Sequence, residues 1–212
     1  GGETSSKSNS DGTESVYELN TTFFDALNDP ASPEDVQVDR FIASQAIMLA
    51  LAGIPGIYFS SLFGARNYKE GVKRTGRARV INRQKWRRND LTRSVYDESS
   101  LHGKVFARYK ALLEARRTTR AFMPLAGQLV FLLDSKVLSL LRTCPEENES
   151  VVALHNVSAG TRRLSIKPIE EAGGLRRETY TDLASGKTVV PDKNRELALA
   201  PYQVCWLFTS RS

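Results

Sequence analysis

Ala46-Ile47-Met48-Leu49-Ala50-Leu51-Ala52-Gly53-Ile54-Pro55-Gly56-Ile57-Tyr58-Phe59 decides how the first half of the chain is read. A run of apolar residues ends at Gly53 and Pro55. Glycine tolerates a left-handed cap and proline cannot continue the backbone ladder, so a helix stops there. That helix starts at Ser32-Pro33-Glu34-Asp35, where a serine cap, a proline at the first helical position and acids in the first turn suit the amide end. Its second half is apolar on every face, which predicts burial. Gly56-Ile57-Tyr58-Phe59 then reads as a short strand covered on both faces, as in a parallel sheet. Helix, tight turn and buried strand make half of an α/β unit, and such a unit cannot close a sheet alone.

Downstream, Ser61 to about Ser100 shows no sustained periodicity and reads as a long loop, a feature that is usually functional inside a compact domain. Eleven Lys or Arg residues between Arg66 and Arg93 face only Glu70 and Asp90, a local charge of +9 in a chain whose total is +6. A phosphate-attracting loop, a nucleic-acid arm and a solvated surface all remain open on charge alone. A second helix is expected from Leu101 to Arg117, with Leu101, Val105, Tyr109, Leu112, Leu113 and Arg116 on one stripe. From Gly127 the grammar changes to short β-rich runs at Leu129–Leu133, Lys136–Leu141, Val151–Asn156, Arg163–Ile166, Glu178–Asp182, Glu196–Ala200 and Val204–Phe208. Turn residues such as Asp134-Ser135, Gly173-Gly174 and Ser185-Gly186-Lys187 separate them, and the pattern predicts a compact antiparallel β domain.

Composition narrows the function classes. With 212 residues, 41% apolar and 25% charged, the chain can bury one or two cores. No apolar run approaches the roughly 20 residues that span a bilayer. Gly1 to Gly12 lacks the apolar core of a leader and reads as a flexible loop. Cys144 and Cys205 are too few and too far apart for a disulfide framework or a cysteine metal site, so two reduced, buried thiols in a cytoplasmic protein are expected. The sequons at Asn20, Asn148 and Asn156 mean nothing without secretion. His102 and His155 have no partner at metal-ligand spacing, so no metal and no cofactor are expected. There is no nucleophile elbow or glycine-rich phosphate loop. The chain offers no complete catalytic constellation.

Two stretches suit ligand binding. Tyr17-Glu18-Leu19-Asn20, just before Phe23-Phe24, sets a ring beside a carboxylate and an amide, a combination that can stack on a sugar and take its hydroxyls. Core packing and capping explain such residues equally well. Gly76-Arg77-Ala78-Arg79-Val80-Ile81-Asn82-Arg83 alternates arginines and then returns to an apolar residue and an amide. Guanidinium forks bind carboxylates and phosphates, and solvated arginines are the plain alternative. Only Tyr68 and Trp86 interleave the basic cluster with aromatics, which weakens the nucleic-acid reading.

Read together, these segments resemble a known family. Arg40-Phe41-Ile42-Ala43-Ser44-Gln45 and the run from Ala46 to Phe59 look like the last helix-to-strand step of the α-amylase superfamily barrel, glycoside hydrolase family 13. Tyr17-Glu18-Leu19-Asn20-Thr21-Thr22-Phe23-Phe24-Asp25-Ala26-Leu27, Arg66-Asn67 and the stretch from Gly76 to Arg83 resemble its sucrose phosphorylase subfamily. The resemblance runs from about Val16 to Phe208. It implies an α/β then all-β chain: the last part of a (β/α)8 TIM barrel over residues 1–119 (loop, helix 7, strand 8 at Ile57 to Phe59, basic loop, helix 8), followed by a C-terminal antiparallel β domain over residues 120–212. Tyr180-Thr181-Asp182-Leu183-Ala184-Ser185-Gly186 and Pro201-Tyr202-Gln203-Val204 look like recurring elements of that domain.

The family's aspartate nucleophile, glutamate acid/base and second aspartate stand on earlier barrel strands and would lie before Gly1, so no catalytic residue is expected here. The implied activity of the whole enzyme is retaining transfer of glucose from an α-glucoside, sucrose or a related one, to inorganic phosphate. A hydrolase or transglucosidase of the same barrel is the alternative, and a noncatalytic basic module is a third reading. Tyr17 and Glu18 match the mobile loop on the acceptor side, where the subfamily often has Gln at the second position. Arg79 matches an arginine that holds the glucosyl subsite, and Asn20 completes the substrate-binding candidates. Ser60 departs from a Tyr-Phe-His-Ser pattern, so sucrose is not assumed. No nucleic-acid or membrane partner is expected, and the oligomeric state is open.

Overall fold

A β-hairpin opens the chain where the sequence reads as a flexible loop. In this computed structural model, which describes residues 1–210, β1 (Glu3–Ser8) pairs antiparallel with β2 (Glu14–Asn20). The overlooked signal is Asp11-Gly12. Gly12 adopts a φ of 81°, and the Asn9 amide closes the turn on the Thr13 carbonyl at 2.8 Å. Ser5 pairs with Glu18 and Ser6 with Val16, so Tyr17 is the extra residue of a bulge.

The described residues form two compact units, Gly1–Phe41 with Ile57–Ala107 and Ile42–Gly56 with Arg108–Ser212. They are called here the hairpin unit and the sheet unit. Besides the hairpin, the first contains α1 (Phe23–Leu27), α3 (Lys69–Thr75), α4 (Arg88–Tyr96) and two 3-10 turns, Phe59–Phe63 and Ala78–Asn82. The expected loop from Ser61 to Ser100 is thus mostly short helices. Each is too brief to show a hydrophobic period, which is why the sequence reads as irregular. Helix α2 (Glu34–Ala50) and helix α5 (Leu101–Thr118) contribute residues to both units and lie where the sequence places them.

The expected strand at Ile57 to Phe59 does not form. The segment before the 3-10 turn carries no ladder, and Ile54, Tyr58 and Phe59 are exposed. A parallel strand needs a neighbour on each side to take its amides and carbonyls. Among the described residues every strand pair is antiparallel, so this run has no edge to join.

The sheet unit holds β3 (Gly127–Asp134), β4 (Val137–Cys144), β5 (Glu149–Asn156), β6 (Arg162–Ser165), α6 (Lys167–Gly173), β7 (Tyr180–Asp182), β8 (Thr188–Val189), β9 (Glu196–Leu199) and β10 (Val204–Ser210). Six of these strands form one sheet in the order β3-β4-β5-β10-β7-β8, and β6 pairs with β9. Each of the seven predicted runs overlaps a strand, with Glu178 and Thr179 lying before β7. One face of the main sheet packs on β6, β9 and α6 through Val152, Leu154, Leu164, Ile169, Leu197 and Leu207. On β5 the alternate residues Val151, Ala153 and His155 are also fully buried. Covering both faces explains why the strand reads as continuously apolar. Cys144 and Cys205 are free, buried thiols.

Apart from Ser139 Oγ, the buried side-chain polar atoms of this unit have partners among the described residues. Arg142 is fully buried and donates to the carbonyls of Gly127, Ala50, Met123 and Ala126 at 3.1, 2.7, 2.8 and 3.3 Å. Arg116 bonds the carbonyls of Leu49, Leu51 and Gly53. Two guanidiniums therefore close the carbonyl end of α2, where orphan acceptors and the negative end of the helix dipole favour cations. Burial raises the Glu170 carboxyl, but Arg195 and the Tyr180 hydroxyl more than offset that and hold it below its ordinary value. The Trp206 indole N–H donates to His155 Nε2 at 3.0 Å, and burial lowers the His155 pKa to about 4.

Candidate functional site

Thr22 begins the site. Its hydroxyl accepts from the Asp25 amide at 3.3 Å and caps α1, which turns the chain out of the hairpin. The Asp25 carboxylate in that first turn receives the Asn67 amide at 2.8 Å and the Arg66 guanidinium at 3.3 Å. Arg66 continues to Gln37 Oε1 at 3.0 Å and lies 5.0 Å over the Phe24 ring. Asn67 Oδ1 accepts from the Thr22 amide at 2.7 Å. The Arg66-Asn67 pair thus ties residues 21–25 to the chain after the first 3-10 turn. Its work is positioning.

The second 3-10 turn, Ala78–Asn82, is fastened just as firmly. Ile81 is fully buried, and its carbonyl accepts from the Tyr68 amide at 2.8 Å. A Cβ at Gly71 would lie 2.2 Å from the Tyr68 ring and 2.8 Å from Val80, so only glycine lets α3 approach this turn so closely. The Tyr58 hydroxyl donates to the Asn82 backbone carbonyl at 3.2 Å, and the Asn82 amide donates to the Thr21 carbonyl at 3.4 Å. Between these pieces lies a cleft of about 180 Å³ lined by Thr21, Thr22, Phe23, Phe24, Tyr58, Ser60, Ser61, Ala65 and Asn82.

The expected binding residues separate in space. Glu18 and Arg79 meet, Oε1 to guanidinium, at 3.3 Å. The arginine is 57% exposed, so the pair contributes on the order of 0.2–1 kcal/mol and stays free to exchange partners. Tyr17 points its ring to solvent, 60% exposed. Asn20 is buried, and its amide donates to Ser5 Oγ at 2.8 Å, which occupies it in the hairpin. Ser60, the departure noted above, lies on the cleft wall.

Two features escaped the sequence reading. Asn82 Oδ1 and Glu18 Oε2 are buried and meet no protein donor. The amide stood in view beside Ile81, but a buried neighbour does not reveal which side-chain atom is left unpaired. His102 is the other: its Nδ1 lies 2.7 Å from the Phe63 carbonyl and its ring packs edge-on against Phe63 and Trp86. Burial lowers its pKa. It braces the first 3-10 turn.

No protein-family model matches the chain. Glucosylglycerate phosphorylase of Spirochaeta thermophila is 38% identical over 98% of this chain and 36% of its own length. The enzyme of that name from Escherichia coli K12 is 32% identical over 95% of this chain and 34% of its own. The chain belongs to the sucrose phosphorylase-like branch of glycoside hydrolase family 13. It spans about a third of the length of these curated relatives. Sucrose 6F-phosphate phosphorylase from Thermoanaerobacter thermosaccharolyticum superposes with a TM-score of 0.56, at 19% identity, over 91% of this chain and 31% of that structure. That likeness establishes the fold: helices from the end of the family 13 barrel, then its antiparallel β domain. No described helix is long and apolar enough to cross a membrane.

Proposed function

We propose that the chain supplies the acceptor-side rim and C-terminal β domain of a retaining α-glucoside phosphorylase, with residues 1–119 ending the barrel and residues 120–212 forming the β domain. In this reading the whole enzyme forms a β-glucosyl ester on an aspartate and passes glucose to inorganic phosphate with retention. The catalytic carboxylates come from sequence outside these 212 residues. The observation that carries the proposal is the Glu18–Arg79 pair, borne by the hairpin and the 3-10 turn that lead to the cleft residues Thr21 and Asn82, in a chain that is similar along nearly all of its own length to phosphorylases. Arg79 is the fork for the glucosyl unit, and Glu18 and Tyr17 border the acceptor. The basic cluster from Arg66 to Arg93 raises the local phosphate concentration. Because both of those relatives are named for glucosylglycerate, that glucoside is the first substrate to try, ahead of sucrose.

The test uses the protein as its gene encodes it, incubated with glucosylglycerate and phosphate. Glucose 1-phosphate is the expected product, and free glucose alone would instead favour a hydrolase. Arg79→Ala should lower kcat/KM for the glucoside by about tenfold or more while leaving the melting temperature nearly unchanged, as expected for an exposed pair. Phosphorolysis by residues 1–212 alone would overturn the assignment of the carboxylates to outside sequence.

A further inference from the structure

Asn82 carries an atom that the fold does not use. Its Nδ2 donates to the Thr21 carbonyl and its backbone oxygen accepts from Tyr58, but its buried Oδ1 has no protein donor. The orientation of the amide is fixed chemically. Turned over, it would set its oxygen against the Thr21 carbonyl, two acceptors face to face. Oδ1 is therefore the unpaired polar atom of a side chain that belongs to the cleft lining. Glu18 repeats the pattern on the neighbouring hairpin: one oxygen faces Arg79, and Oε2 is buried without a donor.

A buried acceptor left unpaired is costly, and a ligand removes that cost only by bringing a donor. Hydroxyl groups are such donors, whereas ionised carboxylate and phosphate oxygens are acceptors only. We infer that Asn82 is a specificity-determining residue of this cleft, reading a hydroxyl of a sugar or polyol through Oδ1. The inference rests on the reading of the cleft as part of a glucoside site, and it adds the residue and the ligand atom type that discriminate. A site built around a hydroxyl rejects the analogue that lacks it, because the protein acceptor is then stranded.

Binding of glucose and its monodeoxy analogues to the protein as encoded, measured by titration calorimetry, tests this without turnover. At least one monodeoxy sugar should bind about tenfold more weakly than glucose. Asn82→Ala should lose that discrimination. Equal binding of every monodeoxy sugar to the unaltered protein would overturn the inference, and this arm stands even where Asn82→Ala fails to fold. A uniform weakening across the series in Asn82→Ala would also overturn it, since that is what a purely structural amide predicts. Hydroxyl discrimination without any glucose 1-phosphate formation sinks the phosphorylase reading and supports the role of Asn82. Phosphorolysis without discrimination sinks only the latter.

Discussion

The sheet unit and the hairpin unit treat their polar atoms differently. In the sheet unit the buried guanidinium of Arg142 has four carbonyl partners, and Glu170, Asp182 and His155 each have at least one. In the hairpin unit Glu18 Oε2, Asn82 Oδ1 and the Trp86 indole N–H are buried without one, whereas Ser139 Oγ is the sheet unit's sole counterpart among the described residues. Buried polar groups are normally paired because each unpaired one costs about 1–3 kcal/mol. One unit uses its polar chemistry to specify a rigid core. The other leaves these three buried side-chain atoms without a partner.

The sharpest way to break this contrast is Arg142→Ala. It removes the donor from four carbonyls, that of Ala50 in a buried bond, and should destabilise the protein by about 3–5 kcal/mol, read as a lower midpoint in urea. A loss under about 1 kcal/mol would show that the core does not depend on this guanidinium.

His155 gives the next effect, through pH. Its folded pKa is lowered from 6.5 to about 4, first by burial, and the Trp206 N–H facing Nε2 leaves no room for a second proton there. The neutral ring therefore stabilises the fold fully above about pH 6.5. As pH falls toward 4 the unfolded chain gains a proton that the folded one refuses, and about 3 kcal/mol is lost. Urea titrations between pH 7 and 4 should show this slope, and His155→Gln should flatten it.

Asp25→Asn should be milder. Its carboxylate holds Arg66 and the Asn67 amide in a half-exposed network, so about 1–2 kcal/mol is expected. The informative readout is local: amide exchange near Thr21 and Thr22 should quicken while the strands of the sheet unit stay protected.

Much of the fold was legible because it follows local rules. The Gly53 and Pro55 stop, the stripe from Leu101 to Arg116 and the alternation of apolar runs with turns each occupy a short window. The misses share a cause in scale. Thr188–Val189 is too short to show a period, and α6 was hidden because Gly173-Gly174 reads as a plain turn when Gly174 is its left-handed cap. The missing strand near Ile57 shows the opposite limit: its residues suit a buried strand, but pairing is a property of the neighbours. At the candidate site, alternate arginines and a Tyr-Glu pair drew notice to two segments, yet could not tell that the Asn20 amide is occupied by Ser5 while Asn82 Oδ1 meets no donor.

The sequence by itself determined where the two long helices and the main strands of the sheet unit lie, because propensity, capping and turn geometry act within a few residues. Only the tertiary structure decided which polar atoms are paired. Thr21 and Asn82 are 61 positions apart, and no local rule brings them together. Their contact depends on Gly71, Ile81 and Asp25 each being packed or bonded elsewhere, so the acceptor left over at Asn82 is a product of the whole unit's packing.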